Sequence, residues 1–143
     1  MPRELFVEEA FSDQAYANMP LPIDCGQTIS QPFIVGYMTD RLDLDKRHTV
    51  LEIGTGSGYQ AAILSKLCRR VFTIERYRTL ARQAEERFKT LKLTNIMQMV
   101  GDGYKGWPKV APFERIIVTA AAKEPPAALL EQMAVGGIMV IPL

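Results

Sequence analysis

Five apolar segments recur along the chain: TVLEIG (49–54), RVFTIE (70–75), NIMQMVG (95–101), RIIVTA (115–120) and GIMVIPL (137–143). They are nearly continuous in apolar residues rather than alternating, which is the pattern of strands covered on both faces. Helical periodicity fills the gaps between them. Strands of this kind, joined through helices by right-handed crossovers, predict an α/β fold with a doubly wound, mainly parallel sheet. The helices are expected over SQPFIVGYMTDRL (30–42), YQAAILSKLCR (59–69), RTLARQAEERFKTLKL (78–93) and PAALLEQMA (126–134). In the first, Ser30 is placed to cap the N-terminus and Pro32 sits in the first turn. Its apolar face is read as Ile34, Tyr37, Met38 and Leu42. Ile63, Leu64 and Leu67 give the second helix its apolar side. Residues 1–30 carry no regular pattern, with Pro20 and Pro22 favouring an extended path and Gly26 a turn.

Composition narrows the function classes. The 143 residues are 48% hydrophobic and 23% charged, enough for one domain with a core, and the net charge is +1. Basic and acidic residues are interspersed, so neither a nucleic-acid surface nor a membrane patch is indicated. No apolar stretch approaches membrane-spanning length, and MPRELFVEEAF has the wrong character for a signal peptide. Cys25 and Cys68 form no CxxC pair and no zinc spacing, so they read as buried structural thiols in a reduced, cytoplasmic setting, with no metal site. The single histidine, His48, reads as a surface loop residue. Met97, Met99, Met133 and Met139 read as core filler and Trp107 as a packing anchor.

In a doubly wound sheet, ligands bind beyond the carboxyl ends of the strands. The first strand ends in Gly54-Thr55-Gly56-Ser57-Gly58. Tyr59 occupies the place of the third glycine in G-x-G-x-x-G, so the dinucleotide fingerprint fails, and no phosphate-cradling P-loop is present. Glu52 would repel a pyrophosphate; it suits a ligand bearing positive charge, or a loop whose N–H groups must be held. Glu75, ending the second strand, is placed to accept both ribose hydroxyls of a nucleoside. After the third strand, Asp102 can accept from an exocyclic amine such as adenine N6, and Gly101 and Gly103 let a flat ring approach. Together these strand ends describe a pocket for an adenosine without phosphate. S-adenosylmethionine is the common cofactor of that description, with Glu52 and Gly54 near its amino-acid and sulfonium end. Each residue also has a plainer reading: a glycine turn, a solvated acid at Glu75, and an Asp102 that bonds its own backbone. Thr119 either lines the same cleft or ends a turn.

The chain resembles the protein-L-isoaspartate O-methyltransferases over nearly its whole length. The resemblance runs through PRELFV (2–7), PLPI, GQTISQP, VLEIGTGSGYQAA, TIER, GDGYKGWP, APF, IIVTAAA and GGIMVIP. It implies a Rossmann-like class I methyltransferase that transfers a methyl group from S-adenosyl-L-methionine to the carboxylate of L-isoaspartyl residues in damaged proteins and peptides. By resemblance Ser30 is the active-site serine, and Gln27, Thr28 and Ile29 border cofactor and acceptor. Ser57, Glu75, Arg76, Asp102 and Gly103 fall on cofactor-binding positions by the same resemblance; the strand-end reading adds Glu52, Gly54 and Gly56 to the cofactor side, and Thr28, Ser30 and Thr119 are read on the acceptor side. Residues 1–143 then form one domain, with 1–30 an acceptor-side loop region and 31–143 the Rossmann-like core. Family chains continue past IPL, so a C-terminally truncated chain is expected, with its fifth strand an exposed apolar edge; the alternative is a catalytically impaired cofactor-binding fragment. The partners implied are isoaspartyl proteins and peptides, with a monomer expected for the full-length form. Two departures stand out: Asp24-Cys25 puts a charge near the acceptor loop, and Arg115 replaces a small residue. An N-methyltransferase is disfavoured, because Thr119-Ala120-Ala121-Ala122 stands where [DN]-P-P-[YF] belongs.

Overall fold

The computed structural model describes residues 1–119 and 123–142. The first thirty residues form 3-10 turns (Arg3–Phe6, Glu9–Gln14, Asp24–Gly26) and a small antiparallel pair, β1 (Leu21–Pro22) and β2 (Thr28–Ile29). Then follow α1 (Pro32–Leu42), β3 (Thr49–Ile53), α2 (Tyr59–Ser65), β4 (Arg70–Glu75), α3 (Arg78–Thr90), β5 (Ile96–Val100), β6 (Phe113–Val118), α4 (Ala127–Glu131) and β7 (Met133–Val140). Five strands make one parallel sheet in the order β5-β4-β3-β6-β7. The order reverses between β3 and β6, which is the switch point where such sheets hold ligands. β7 forms one edge, as expected. Ala120 and Leu143, the ends of two predicted strands, lie outside the described residues.

The continuous apolar runs are explained by burial on both faces. Val50, Val71 and Ile117 pack with Leu42, Leu64 and Phe88 from α1, α2 and α3. Leu51, Ile53, Phe72, Ile74 and Ile116 pack on the other face with Phe113 and Leu129. Trp107 anchors that second layer, edge-on to Phe72 at 5.2 Å between ring centroids. Truncating one such fully buried Leu or Ile to Ala typically costs about 2–5 kcal/mol.

Several local expectations are corrected. Ser30 does not cap α1; Gln31 occupies the cap position and bonds nothing with its side chain. The role passes to Asn18, whose Oδ1 accepts from the Phe33 N–H at 3.2 Å. The inner stripe of α1 is Val35, Met38 and Leu42, while Ile34 and Tyr37 are exposed and Tyr37 stacks on Phe33. α2 stops at Ser65, because Lys66 and Leu67 make i to i−3 bonds; Leu67 is therefore exposed and Ala61, Ala62 and Leu64 face inward. β7 begins at Met133, so α4 is shorter than its apolar pattern suggested. Met97 is exposed on the edge strand β5 rather than in the core. Cys68 is buried, but Cys25 is exposed with φ of 61°. His48 is half-buried, its Nδ1 accepting from the Asp45 N–H at 3.1 Å. Arg115 is a buried clamp on α1, donating to the carbonyls of Leu42 and Asp43.

Candidate active site

A cleft of about 520 Å³ opens at the carboxyl ends of β3, β4 and β6 and the loop after β5. Of the site residues predicted from sequence, Gln27, Thr28, Ile29, Ser30, Glu52, Gly54, Gly56, Ser57, Glu75, Arg76, Asp102, Gly103 and Thr119 line it. Sequence reasoning missed Ile34, Val35 and Met38 of α1, together with Tyr59, Tyr77 and Tyr104. Their signal was position: each lies within a turn or two of a residue already singled out. Gly101 is not among the lining residues, and Asp24 turns away, accepting from Gln83 Nε2 of α3 at 2.7 Å.

The glycine turn is held from below and beside. Glu75 is buried, and its two oxygens accept from the Gly56 N–H at 2.8 Å and the Tyr77 N–H at 2.9 Å. It is thus a fixed buried acceptor rather than a solvated acid. A carboxylate has about four lone-pair sites, so two remain for a ligand's hydroxyls. Arg87 of α3 donates to the Ser57 carbonyl at 2.9 Å, and the Ser57 hydroxyl accepts from the Tyr59 N–H at 3.3 Å.

The bareness of the glycines is set largely by the protein itself. A Cβ on Gly54 would lie 2.6 Å from Thr119 Oγ1, and one on Gly103 would lie 2.3 Å from Ile53 Cγ2. Gly54 also has φ of +94°, where a side chain is strained. Thr119 lines the cleft and locks β6 to β3, its hydroxyl donating toward the carbonyls of Ile53 at 3.0 Å and Gly54 at 3.2 Å.

Glu52 lies fully buried at the cleft floor. Its Oε1 accepts from Thr73 Oγ1 at 2.6 Å. Because Thr73 spends its one proton there, Thr55 supplies the proton in its own 2.6 Å contact with Thr73. Oε2 has no partner among the described residues. Burial pushes the Glu52 carboxyl up to about 8, against the pull of the Thr73 hydrogen bond, with the Glu75 charge adding to the rise. Asp102 does bond its own backbone, Oδ1 accepting from the Tyr104 N–H at 3.0 Å; Oδ2 makes no hydrogen bond among the described residues. Both readings of Asp102 therefore remain compatible. Arg76 is exposed, its guanidinium carbon 5.7 Å from the centroid of the Tyr77 ring.

The family model described as Protein-L-isoaspartate(D-aspartate) O-methyltransferase (PCMT) matches residues 1–143. The chain is 61% identical over 142 residues to a protein-L-isoaspartate O-methyltransferase of Maricaulis maris (strain MCS10), covering 99% of this chain and 67% of the relative. It is 63% identical over 144 residues to the one of Rhodospirillum centenum (strain ATCC 51521 / SW), covering 100% of this chain and 65% of the relative. A solved protein-L-isoaspartate O-methyltransferase superimposes with a TM-score of 0.90 at 31% identity, covering 99% of this chain and 47% of that one. The chain thus spans about two thirds of the length of these curated relatives.

Proposed function

The chain belongs to the protein-L-isoaspartate(D-aspartate) O-methyltransferase family, and from that premise we propose that it transfers a methyl group from S-adenosyl-L-methionine to the carboxylate of L-isoaspartyl residues in damaged proteins and peptides. The observation that carries the reading is the single cleft that gathers the glycine turn, Glu75, Asp102 and the Thr28–Ser30 segment. The donor set fits this cofactor. Glu52 offers a buried, unpartnered carboxyl oxygen, and a positively charged ligand beside it would favour its ionised form, a gain that a pyrophosphate could not bring. Glu75 would take the ribose hydroxyls and Asp102 the adenine amine, with Gln27, Thr28, Ile29, Gly54, Gly56, Ser57, Arg76 and Gly103 around them. When bound, S-adenosyl-L-methionine supplies an electrophilic methyl group on a sulfonium.

The work left to the chain is positioning. An isoaspartyl carboxylate is ionised near neutral pH, so no general base is required. Thr28, Ser30 and Thr119 border the acceptor side, and the Ser30 hydroxyl is suited to donate to the incoming carboxylate. Holding the reacting groups in line supplies on the order of 7–11 kcal/mol. The walls from α1, Ile34, Val35 and Met38, exclude water and strengthen the attraction between carboxylate and cation. The methyl ester then closes spontaneously to a succinimide, which hydrolyses in part to normal aspartate. In this reading residues 1–30 form the acceptor side and 31–143 the cofactor-binding core. Among the described residues no helix is long and apolar enough to cross a membrane, in keeping with a cytoplasmic enzyme, and the full-length form is read as a monomer.

The test is methyl transfer to an isoaspartyl peptide, measured beside equilibrium binding of S-adenosylhomocysteine. Turnover with binding is the expected result. Binding without turnover would mark this chain as a cofactor-binding fragment, and failure of both would overturn the reading.

A further inference from the structure

The PRELFV stretch lines none of the cleft, yet its Arg3 is fully buried. A buried guanidinium is tolerated only when it is well partnered. Its Nε donates to the Ala15 carbonyl and its Nη2 donates to the Ser30 carbonyl at 2.8 Å. Its guanidinium carbon lies 5.0 Å from the centroid of the Tyr59 ring. Nη1 has no partner among the described residues. The segment is itself tethered: the Arg3 N–H donates to the Tyr16 hydroxyl at 2.9 Å, and that hydroxyl donates to Glu4 Oε2 at 2.5 Å.

These contacts reach both halves of the cleft. Ser30 stands just ahead of α1 on the acceptor side. Tyr59 is the first residue of α2, directly after the glycine turn, and lines the cleft too. One rigid, planar fork thus hydrogen-bonds the main chain of the acceptor segment while stacking on the cofactor side. We propose that Arg3 is a positioning residue that holds the Ser30 segment in register with the glycine turn, so that acceptor and methyl donor meet in line. The proposal rests on the methyltransferase reading above. It requires a guanidinium rather than a positive charge alone, since an ammonium has neither the fork nor the flat face. A merely structural Arg3 would instead tie the N-terminal turns down, and its loss would weaken every property of the protein together.

The test compares the wild-type chain with Arg3→Lys and Arg3→Met. The readouts are kcat/KM for an isoaspartyl peptide, affinity for S-adenosylhomocysteine, and amide hydrogen exchange. We expect Arg3→Lys to lower peptide kcat/KM by roughly 10–100-fold, the cost of a small misplacement. Homocysteine-nucleoside affinity should stay within about twofold. Exchange should quicken across residues 28–31 while β3 and β4 keep their protection. Equal losses in peptide turnover and nucleoside affinity, or an unchanged peptide rate, would overturn the proposal. Should Arg3→Met fail to fold, the lysine variant still decides. A wild-type chain that neither turns over nor binds S-adenosylhomocysteine would remove the methyltransferase reading, and one that binds without turnover would remove Arg3's role in the reaction; unaltered exchange at 28–31 in Arg3→Lys would separately show that Arg3 holds nothing in place.

Discussion

Glu52 shows how one residue serves stability and site at once. In the folded chain its carboxyl titrates at about 8, against an ordinary value of 4.5. Between those values the folded state keeps a proton that the unfolded chain has lost. The group's stabilisation is therefore complete below 4.5, declines as pH rises and is gone above about 8. The slope it contributes is at most about 1.4 kcal/mol per pH unit. Glu52→Gln keeps the shape and abolishes the titration. Urea denaturation across this range should show wild type losing stability relative to the variant as pH rises, and parallel curves would mean the carboxyl is not perturbed. A second residue-scale prediction separates two neighbouring glycines. At Gly103 a methyl group would strike Ile53, fixed in β3, whereas at Gly101 the nearest atom is the flexible Met99 tip at 3.9 Å. Gly103→Ala should cost about 1–3 kcal/mol from overpacking, and Gly101→Ala less than about 0.5 kcal/mol. Equal costs in paired urea titrations would count against the close contact with Ile53.

Among the elements, α1 is the one whose placement matters most to the cleft, and buried arginines fasten both its ends. Arg3 holds the Ser30 carbonyl just before it, and Arg115 of β6 holds the Leu42 and Asp43 carbonyls where it stops. The last carbonyls of a helix have no partners within it, so removing Arg115 takes the donor from the carbonyl of the buried Leu42 and from that of Asp43. Arg115→Met should destabilise the chain by about 1–3 kcal/mol and quicken amide exchange in the last turn of α1 before the rest of the sheet. Protection unchanged at residues 39–43 would show the clamp to be idle. The same helix marks where sequence reading succeeds and fails. Pro32 and the apolar spacing made a helix legible. Its cap was not, because Asn18 lies fifteen residues upstream and only tertiary folding brings it to Phe33. Nor was its inner face, since Tyr37 and Val35 are both apolar enough to be buried, and only the docking of α1 against β6 and β7 decides that Val35 is. The strands were easier: Val50 to Ile53 and Val71 to Ile74 announce burial on both faces without any outside information. Glu52, the glycine turn, Glu75 and Asp102 followed from them, because strand ends in a parallel sheet all point to one rim; Gln27 to Ser30 lie on no such strand end and were legible only through the family resemblance. Residues that reach the rim from helices, such as Ile34 and Tyr59, carry no such mark.

At the scale of the whole molecule, the cleft is assembled from pieces that the chain delivers separately: the 27–30 segment, the ends of β3, β4 and β6, and the turn after β5. A ligand seated there contacts all of them, so its binding energy adds to the stability of the entire fold. At a hundredfold excess over Kd, a ligand specific for the folded state contributes about 2.7 kcal/mol. For a chain of 143 residues that corresponds to a rise in Tm of roughly 5–11 °C. S-adenosylhomocysteine should produce this shift, and adenosine diphosphate should not, because the Glu75 charge opposes added phosphate. Asp102→Ala should reduce the shift by weakening nucleoside affinity about 1–3 kcal/mol through the lost charge-assisted bond. Each variant must be referred to its own unliganded Tm, since Asp102 also caps the turn at Tyr104. A full shift in Asp102→Ala would place the purine elsewhere in the cleft, whereas a shift lost in that variant and kept in Ser30→Ala would separate the nucleoside end of the site from its acceptor end.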